Sequence, residues 1–472
     1  MHICIIGTGA SGWIACTMLK DLDIVKKITI IGSSKIPTIG VGESTTLNFA
    51  STILNRVDLK KFIRETDAAI KYGVYYKNWS KKDFIHYFKS DNPFLRHGTT
   101  RNSYGKILAN KDPNTHIHDL IGNKLWNFIL KNEISLDFAE HPHSYHFDAG
   151  KFISFLKNIN LESDKVTFVD DTIVDCEFFV DDQIKYIIGE KNKKYTSDYF
   201  VNCCGDNELN VNVFKEEYTS LSSYLLTNKA LVYPLKYKNK REQFHPYTVA
   251  KTMKSGWRWI TPTQSRIGTG YVFSDDHISV DEATHEFLND VGDKTINPLL
   301  VDFNPKFNKR SFKKNSCSIG MSSGFLEPLD APGLSMTIVS VTRLFKILEY
   351  KNDKSKLINF LNFLNYVNET VEISYQWWCT FILHQYKTCW RDDTQFWIDH
   401  KNVECNFYES IIKLLGNVPE RLSDEHEFLM LHQTTASKDI QWKSKTKQQP
   451  FLIDELDTKK VHHLDFIETF YD

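Results

Sequence analysis

Charge of one sign is what this 472-residue sequence lacks first. Its 58 Lys and Arg face 59 Asp and Glu, so no net field draws it to nucleic acid, anionic lipid or an acidic substrate. No apolar run reaches the roughly 18 residues that a membrane span requires. The opening residues, Met1-His2-Ile3-Cys4-Ile5-Ile6, read as an apolar strand, without the charged leader, apolar stretch and small-residue cleavage site of a secretory signal. Nine cysteines is an odd number with no zinc-ligand rhythm, and the neighbours Cys203 and Cys204 cannot close an unstrained bridge. A disulfide framework and a metal centre are therefore not expected, and the chain reads as reduced and cytoplasmic, with no nucleic-acid or membrane partner. No internal repeat is visible, and pieces such as Lys191-Asn192-Lys193-Lys194 read as solvated hairpin turns. What is abundant is aromatic. Phe, Trp and Tyr make up 13% of residues, ten Trp among them, which suits pockets that grip flat apolar ligands. With 41% hydrophobic residues, the chain can bury a sizeable core in roughly two to four domain-sized units.

Ile3 to Ile6 is an unbroken apolar run, the pattern of a parallel strand covered on both faces. It leads into Gly7-Thr8-Gly9-Ala10-Ser11-Gly12, then a helical stretch from Trp13 to Lys20 and a second apolar strand, Ile28 to Ile31. In this context the three glycines have separate duties: Gly7 permits the tight turn, Gly9 lets backbone approach a pyrophosphate, and Gly12 lets helix and strand pack closely. The unpaired N–H groups and positive dipole end of the helix then face the phosphates. The pattern predicts dinucleotide binding. The acidic residue expected after the second strand, to hold the ribose hydroxyls, is absent from Gly32-Ser33-Ser34. Ser33 offers one hydrogen bond in its place, so adenosine-side affinity is expected to be modest, and FAD and NAD both stay open at this point.

Ile36-Pro37-Thr38-Ile39-Gly40-Val41-Gly42-Glu43-Ser44-Thr45 reads as a glycine-punctuated loop leading into a helix, with Ser44 or Thr45 capping its first N–H groups. The segment also resembles the GVGE(A/S)T stretch of the flavin-dependent tryptophan halogenases. Further similarities follow in order. Ala69-Ile70-Lys71-Tyr72-Gly73 with Asn78-Trp79 is similar to that family's segment in which a lysine precedes an N-W pair. Asn202-Cys203-Cys204-Gly205 resembles D-C-(S/T)-G, with Asn for Asp, and Trp257-Arg258-Trp259-Ile260-Thr261-Pro262 resembles W-x-W-x-I-P, with Thr261 for Ile. Gly324 to Gly333, GFLEPLDAPG, resembles F-x-E-P-L-E-S-T-(G/S), and Arg391-Asp392-Asp393-Thr394-Gln395-Phe396-Trp397 resembles a late R-D-D-T-x-F-W.

The resemblance implies FAD, used as FADH2 and delivered by a separate flavin reductase, because no further NAD(P)H site is recognisable. It implies O2 and a halide ion as co-substrates, hypohalous acid as the oxidant, and a small aromatic molecule as the substrate. Cofactor contacts carried over onto this sequence are Gly7, Gly9, Ala10, Ser11, Gly12, Ser33, Val41, Gly42, Glu43, Ser44, Val174, Gly205, Met321 and Leu334. The halide position falls on Pro332 and Gly333. Proline has no N–H, so one halide donor is lost, and bromide and iodide are expected to be better substrates than chloride. Lys71 stands among Ala68, Ala69, Ile70, Tyr72, Val74 and Tyr75. By its residues alone it either snorkels to water at a strand end or is desolvated with a lowered pKa; the resemblance implies the second, with Lys71 presenting electrophilic halogen to the arene as a haloamine or by a hydrogen bond to hypohalous acid. Asp330 matches the family glutamate that stabilises the cationic ring intermediate and assists loss of its proton, one methylene shorter; Glu327 reads as structural. Trp257 and Trp259, at i and i+2, share one strand face, as core or as the wall between flavin and substrate. His86 and Phe88 match substrate-pocket positions.

The expected fold is α/β (α+β), a Rossmann-like FAD-binding flavin-monooxygenase fold. Residues 1–350 are expected to form this domain, with substrate-region insertions at about 72–150 and 210–315, and 351–472 to be a mainly helical C-terminal part. Within it, Ser335 to Tyr350, Ile358 to Val367 and Glu369 to Tyr386 read as helices and Arg266 to Phe273 as a strand. The stretch after R-D-D-T is shorter than in tryptophan halogenases, so an indole or phenol fits better than free tryptophan. Two rivals share the nucleotide fold: an FAD-dependent aromatic monooxygenase, which needs neither Lys71 nor the halide loop, and a non-catalytic flavin-binding protein. Homo-oligomerisation stays open.

Overall fold

A computed structural model describes residues 1–36, 43–81, 83–88, 130–135, 143–353, 355–415 and 460–471. The first layer is an all-parallel five-stranded sheet, in the order Ser316–Ser318, Tyr199–Asn202, His2–Ile6, Lys27–Gly32, Val166–Asp170. Ile3, Ile5, Ile28 and Ile30 belong to one core cluster, and Cys4, Ile6 and Ile31 to another. Both faces are covered, which is why these strands read as unbroken apolar runs. The chain crosses from one side of His2–Ile6 to the other, so a crevice opens at the carboxyl ends of these strands, where α/β sheets hold ligands. The glycine pattern lies there. Gly7 has φ +109°, and a Cβ on it would sit 2.2 Å from the Cys203 carbonyl oxygen, so the turn admits only glycine. The following helix, Ala10–Leu19, begins three residues before the expected Trp13.

The second layer is a seven-stranded sheet, in the order Leu299–Asp302, Lys229–Leu235, Ile267–Phe273, Gly256–Pro262, Thr248–Met253, Gly73–Lys77, Phe84–Tyr87. Its neighbours are antiparallel except for the parallel pair Thr248–Met253 and Gly73–Lys77. Segments far apart in sequence, from 73–87 and 229–302, thus share one sheet. A small antiparallel sheet places Ser144–Phe147 between Glu43–Ser44 and Ala69–Lys71.

Pro332–Asn352 is helical, longer than the expected Ser335 to Tyr350. The proline adds the first turn, because its fixed φ suits a position whose N–H would have no intrahelical partner. Where the sequence suggests two helices, at 358–367 and 369–386, one helix spans Phe360–Thr388. No glycine or proline interrupts this stretch. Asn368, between the two expected stretches, donates from Nδ2 to Leu364 O at 3.1 Å and pairs with both the N–H and C=O of Phe312 at 2.9 Å. Ile358 lies outside, in the 3-10 turn Leu357–Asn359. Gln395–Asn402 and Asn406–Leu415 are further helices. Among the described residues no helix is long and apolar enough to cross a membrane. The nine cysteines are free thiols.

Candidate active site

The crevice brings three separate glycine-bearing segments together. A Cβ added to Gly9, Gly205 or Gly333 would meet no atom within 4 Å, so backbone lies open to a ligand at all three. Ser11 stands against Gly320 and hydrogen-bonds Thr337 Oγ1 at 3.2 Å, which ties Ala10–Leu19 to Pro332–Asn352. Leu334 is buried in the first turn of the latter helix, and Met321 is exposed beside Gly320. Helix Ala10–Leu19 has no side-chain cap and no acidic residue in its first turn, so its N–H groups and dipole remain available to an anion. This cradle fits the pyrophosphate of FAD. Ser33 Oγ accepts from Lys35 N at 3.3 Å. On the adjacent strand a carboxylate lies level with the end of Lys27–Gly32: Asp170 is the register partner of Gly32 and accepts from Ser34 N at 2.9 Å and Ser34 Oγ at 2.7 Å. No sequence signal marked it, because register across two distant strands is a tertiary property. Val174 is exposed on Ile173–Phe178. Val41 and Gly42 lie outside the described residues.

The expected cap at Ser44 or Thr45 does not form. The helix Leu47–Ile53 has Thr46 at its N-cap position with no side-chain cap bond. Thr45 turns instead to the neighbouring strand: its Oγ1 lies 2.5 Å from Ser144 Oγ, donates to Tyr145 O at 2.7 Å and accepts from Tyr145 N at 3.1 Å. Ser44 Oγ bonds Thr248 Oγ1 at 3.0 Å. Thr45 then offers its carbonyl to Lys71, whose Nζ donates to it at 3.0 Å.

Lys71 is fully buried. Its strand, Ala69–Lys71, is held against Ser144–Phe147, and the Lys71 ammonium lies 5.0 Å from the centre of the Phe88 ring. Burial pushes the amine down to about 8, with the negative charge of Asp330 pulling the other way. The histidine behind it is neutral by construction. His146 Nδ1 faces Pro262 O at 3.1 Å, which only accepts, so the proton sits on Nδ1 and Nε2 accepts from Thr248 Oγ1 at 2.8 Å. Burial first and the Lys71 charge second hold that imidazole well below its usual range.

Asp330 and Ala331 both have left-handed backbone, φ +64° and +59°, an unfavourable conformation for side-chain-bearing residues that clusters at functional sites. The Asp330 carboxylate is buried, and its Oδ2 accepts from Tyr76 OH at 3.2 Å and His86 Nδ1 at 3.0 Å. His86 in turn lies 5.9 Å, centre to centre, from the Phe381 ring. Pro332 and Gly333 follow at once as the start of the helix, so carboxylate and helix N-terminus are adjacent. Lys71, Phe88, Asp330 and His86 are thus drawn into one region. Tyr76, His146 and the Thr45 carbonyl belong to it as well, and sequence alone singled out none of them.

Glu327 anchors the wall of this region. It is fully buried and accepts from Thr227 Oγ1 at 2.6 Å, Trp257 Nε1 at 3.1 Å and Tyr386 OH, which lies 3.1 and 3.0 Å from its two oxygens. The indoles of Trp257 and Trp259 are 6.3 Å apart, and Trp259 fills the space beside Gly270. Burial raises the Glu327 carboxyl to about 7, against the three hydrogen bonds that favour its anion. The folded protein therefore binds more protons than the unfolded chain between the ordinary glutamate value of 4.5 and about 7, and stability falls as pH rises through that window. Glu327→Gln removes this dependence. The melting temperature of the wild type, measured relative to the variant, should be higher at pH 5 than at pH 8; an equal difference at both would show that Glu327 does not titrate there.

Among the described residues no group of three His, Cys, Asp or Glu side chains is placed to hold a metal ion. Solved structures share this fold. A tryptophan halogenase from Shewanella frigidimarina superposes with TM-score 0.78 at 20% identity, over 100% of this chain and 93% of its own. A flavin-dependent halogenase from Brevundimonas superposes with TM-score 0.73 at 21% identity, over 92% and 90%. In sequence, the tryptophan 7-halogenase of Lentzea aerocolonigenes is 27% identical over 438 residues, 85% of this chain and 79% of its own. The tryptophan 6-halogenase of Streptomyces albogriseolus is 27% identical over 436 residues, with the same coverage. The family model described as tryptophan halogenase matches residues 2–445. The chain belongs to the tryptophan halogenase family of flavin-dependent enzymes.

Proposed function

We propose that this protein is an FADH2-dependent halogenase acting on an electron-rich arene such as an indole or phenol, with Lys71 delivering the halogen. The observation that carries the reading is a fully buried lysine whose charge is destabilised by burial, coupled to a buried carboxylate, Asp330, that adjoins the helix start at Pro332. Bound as FADH2 from a separate flavin reductase, the cofactor supplies with O2 the oxidation of halide to hypohalous acid, in the balance FADH2 + O2 + X⁻ + H⁺ → FAD + HOX + H2O. Gly7, Gly9, Ala10, Ser11, Gly12, Gly205 and Leu334 would hold it, with Ser33 and Asp170 at its ribose end. Lys71 then orients electrophilic halogen toward the arene, Phe88 and Trp259 exclude water, and Asp330 stabilises the cationic ring and assists loss of its proton. The net second step is ArH + HOX → ArX + H2O.

The halide position at Pro332 and Gly333 has one backbone donor fewer than a non-proline residue would give, though the positive end of helix Pro332–Asn352 remains. Bromide, easier to oxidise and less dependent on tight hydrogen bonding, is therefore expected to outcompete chloride. With both at equal concentration, mass spectrometry should find mainly the brominated product, and mainly chlorinated product would refute the preference. The reading as a whole is tested by supplying FAD, a flavin reductase, NADH, O2 and each halide with a panel of indoles and phenols. Halogenated products support it, whereas hydroxylated products without a halide requirement, or FAD binding without turnover, would refute it.

A further inference from the structure

We propose that the segment Lys460–Tyr471 is a latch that sets the position of Lys71, with His463 as its positioning residue. This rests on the halogenase reading above for its catalytic consequence, but its structural basis is separate. Ala69–Lys71 is an outer strand of its small sheet, and the N–H of Ile70, next to Lys71, donates to His463 Nε2 at 3.0 Å. A side chain thus fills a backbone hydrogen bond at the edge of the lysine strand. Because a backbone N–H can only donate, Nε2 must be unprotonated, and the proton on Nδ1 points to Phe244 O at 3.4 Å. The imidazole is fully buried and stacked on the Phe244 ring, with centres 4.3 Å apart and planes 15° off parallel. On the other side of Lys71, Tyr72 N donates to Pro246 O at 2.8 Å, so residues 70 and 72 are both tied to the cluster built around Phe244 to Pro246.

The segment is itself firmly held. Lys460–His462 pairs antiparallel with Glu133–Ser135, and His463 N donates to Asn132 O at 2.7 Å. Asp465 takes both terminal nitrogens of Arg241, at 2.7 and 2.8 Å. Tyr471 OH donates to Gln264 Oε1 at 2.6 Å, and Gln264 Nε2 donates to Ile63 O and Ala68 O at 2.8 and 2.7 Å, just before the lysine strand. The family match ends at residue 445, so the latch lies outside the part of the chain matched to the family. Misplacing a delivering group by about 1 Å costs on the order of a hundredfold in rate, so a contact one residue from Lys71 is placed to control delivery while leaving the FAD cradle untouched.

Two substitutions separate the acceptor from the packing. His463→Phe keeps a flat ring on Phe244 and removes the acceptor; His463→Gln puts an oxygen near the position of Nε2. For His463→Phe the expected result is about tenfold lower kcat with little change in arene KM, unchanged FAD affinity, and more hypohalous acid caught by a β-diketone trap in solution. His463→Gln should recover most of the product, and in a Lys71→Met background His463→Phe should add nothing. Arg241→Ala, at the exposed pair with Asp465, should shift the product-to-trap ratio in the same direction more weakly, and decides the matter if His463→Phe does not fold. Amide hydrogen exchange of the peptide containing Ile70 to Tyr72 needs no turnover, and should rise in His463→Phe and fall back in His463→Gln. Unchanged exchange and an unchanged product-to-trap ratio would overturn the latch. A wild type that makes no halogenated arene would overturn the halogenase reading, and exchange would still decide whether His463 fixes the strand.

Discussion

Replacing Lys71 by methionine is expected to lower the kcat for arene halogenation by about three orders of magnitude, while the protein folds close to the wild type and binds FAD as before. Methionine keeps the length and most of the volume of an unbranched side chain that is fully buried. Alanine would instead open a cavity worth about 2–5 kcal/mol of stability and confuse folding with chemistry. Methionine loses the hydrogen bond to the Thr45 carbonyl, but it also relieves the burial of an amine that the fold holds near 8. The sign of that relief can be checked. With a folded value of about 8 against 10.5 unfolded, the unfolded chain binds more protons across this window. Wild-type stability should therefore rise with pH from about 8 towards 10.5, and Lys71→Met should lack the rise. Thermal melts across pH read the stability, FAD titration reads the cradle, and mass spectrometry reads the product. Equal products from both proteins would mean that hypohalous acid halogenates freely in solution. The same lowered value separates two modes of delivery, since product formation that grows through about pH 8 requires the neutral amine of a haloamine, and one that declines requires the hydrogen-bonding ammonium.

The parts of this molecule legible in the sequence are those set by local order. Alternate burial of Ile3, Cys4, Ile5 and Ile6 on two sides of one strand demands an apolar run, and the turn at Gly7 demands glycine because the Cys203 carbonyl occupies the space of a Cβ. The apolar neighbours of Lys71 left both burial and a water-facing end open, and the motif resemblance decided for burial, where the side chain lies. Asp330 was named with it through the motif resemblance, but the Thr45 carbonyl was not legible, because it reaches the amine only through tertiary pairing, and His463 sits in a segment with no local signature. The reading of Thr45 as a helix cap failed where two roles competed for one hydroxyl, and the strand Ser144–Phe147 took it. The two helical stretches expected at 358–367 and 369–386 are one helix, because the Asn368 amide between them spans the gap to Phe312 and the backbone continues through it.

Asp330→Asn is expected to lower kcat by about a hundredfold with arene KM little changed, and to make a ring-deuterated arene react more slowly than its protonated form. The argument follows from where the carboxylate is held. Asp330 has a shorter side chain than a glutamate, and its left-handed backbone turns it toward Tyr76 and His86, both of which bond the same oxygen. The asparagine carries no charge to offset a cationic ring, and its amide can no longer take up the ring proton, so proton loss becomes slow enough to show an isotope effect. Removing the charge also removes the group that holds the Lys71 amine up against burial, so the pH dependence of the variant should shift to lower pH. His86→Asn, which keeps a donor near Nδ1, should retain most of the activity. His86→Phe should lose about tenfold and should add little to Asp330→Asn, because His86 acts through the carboxylate charge that the second substitution has already removed. Full additivity in the double variant would mean that His86 acts on the substrate and not through Asp330.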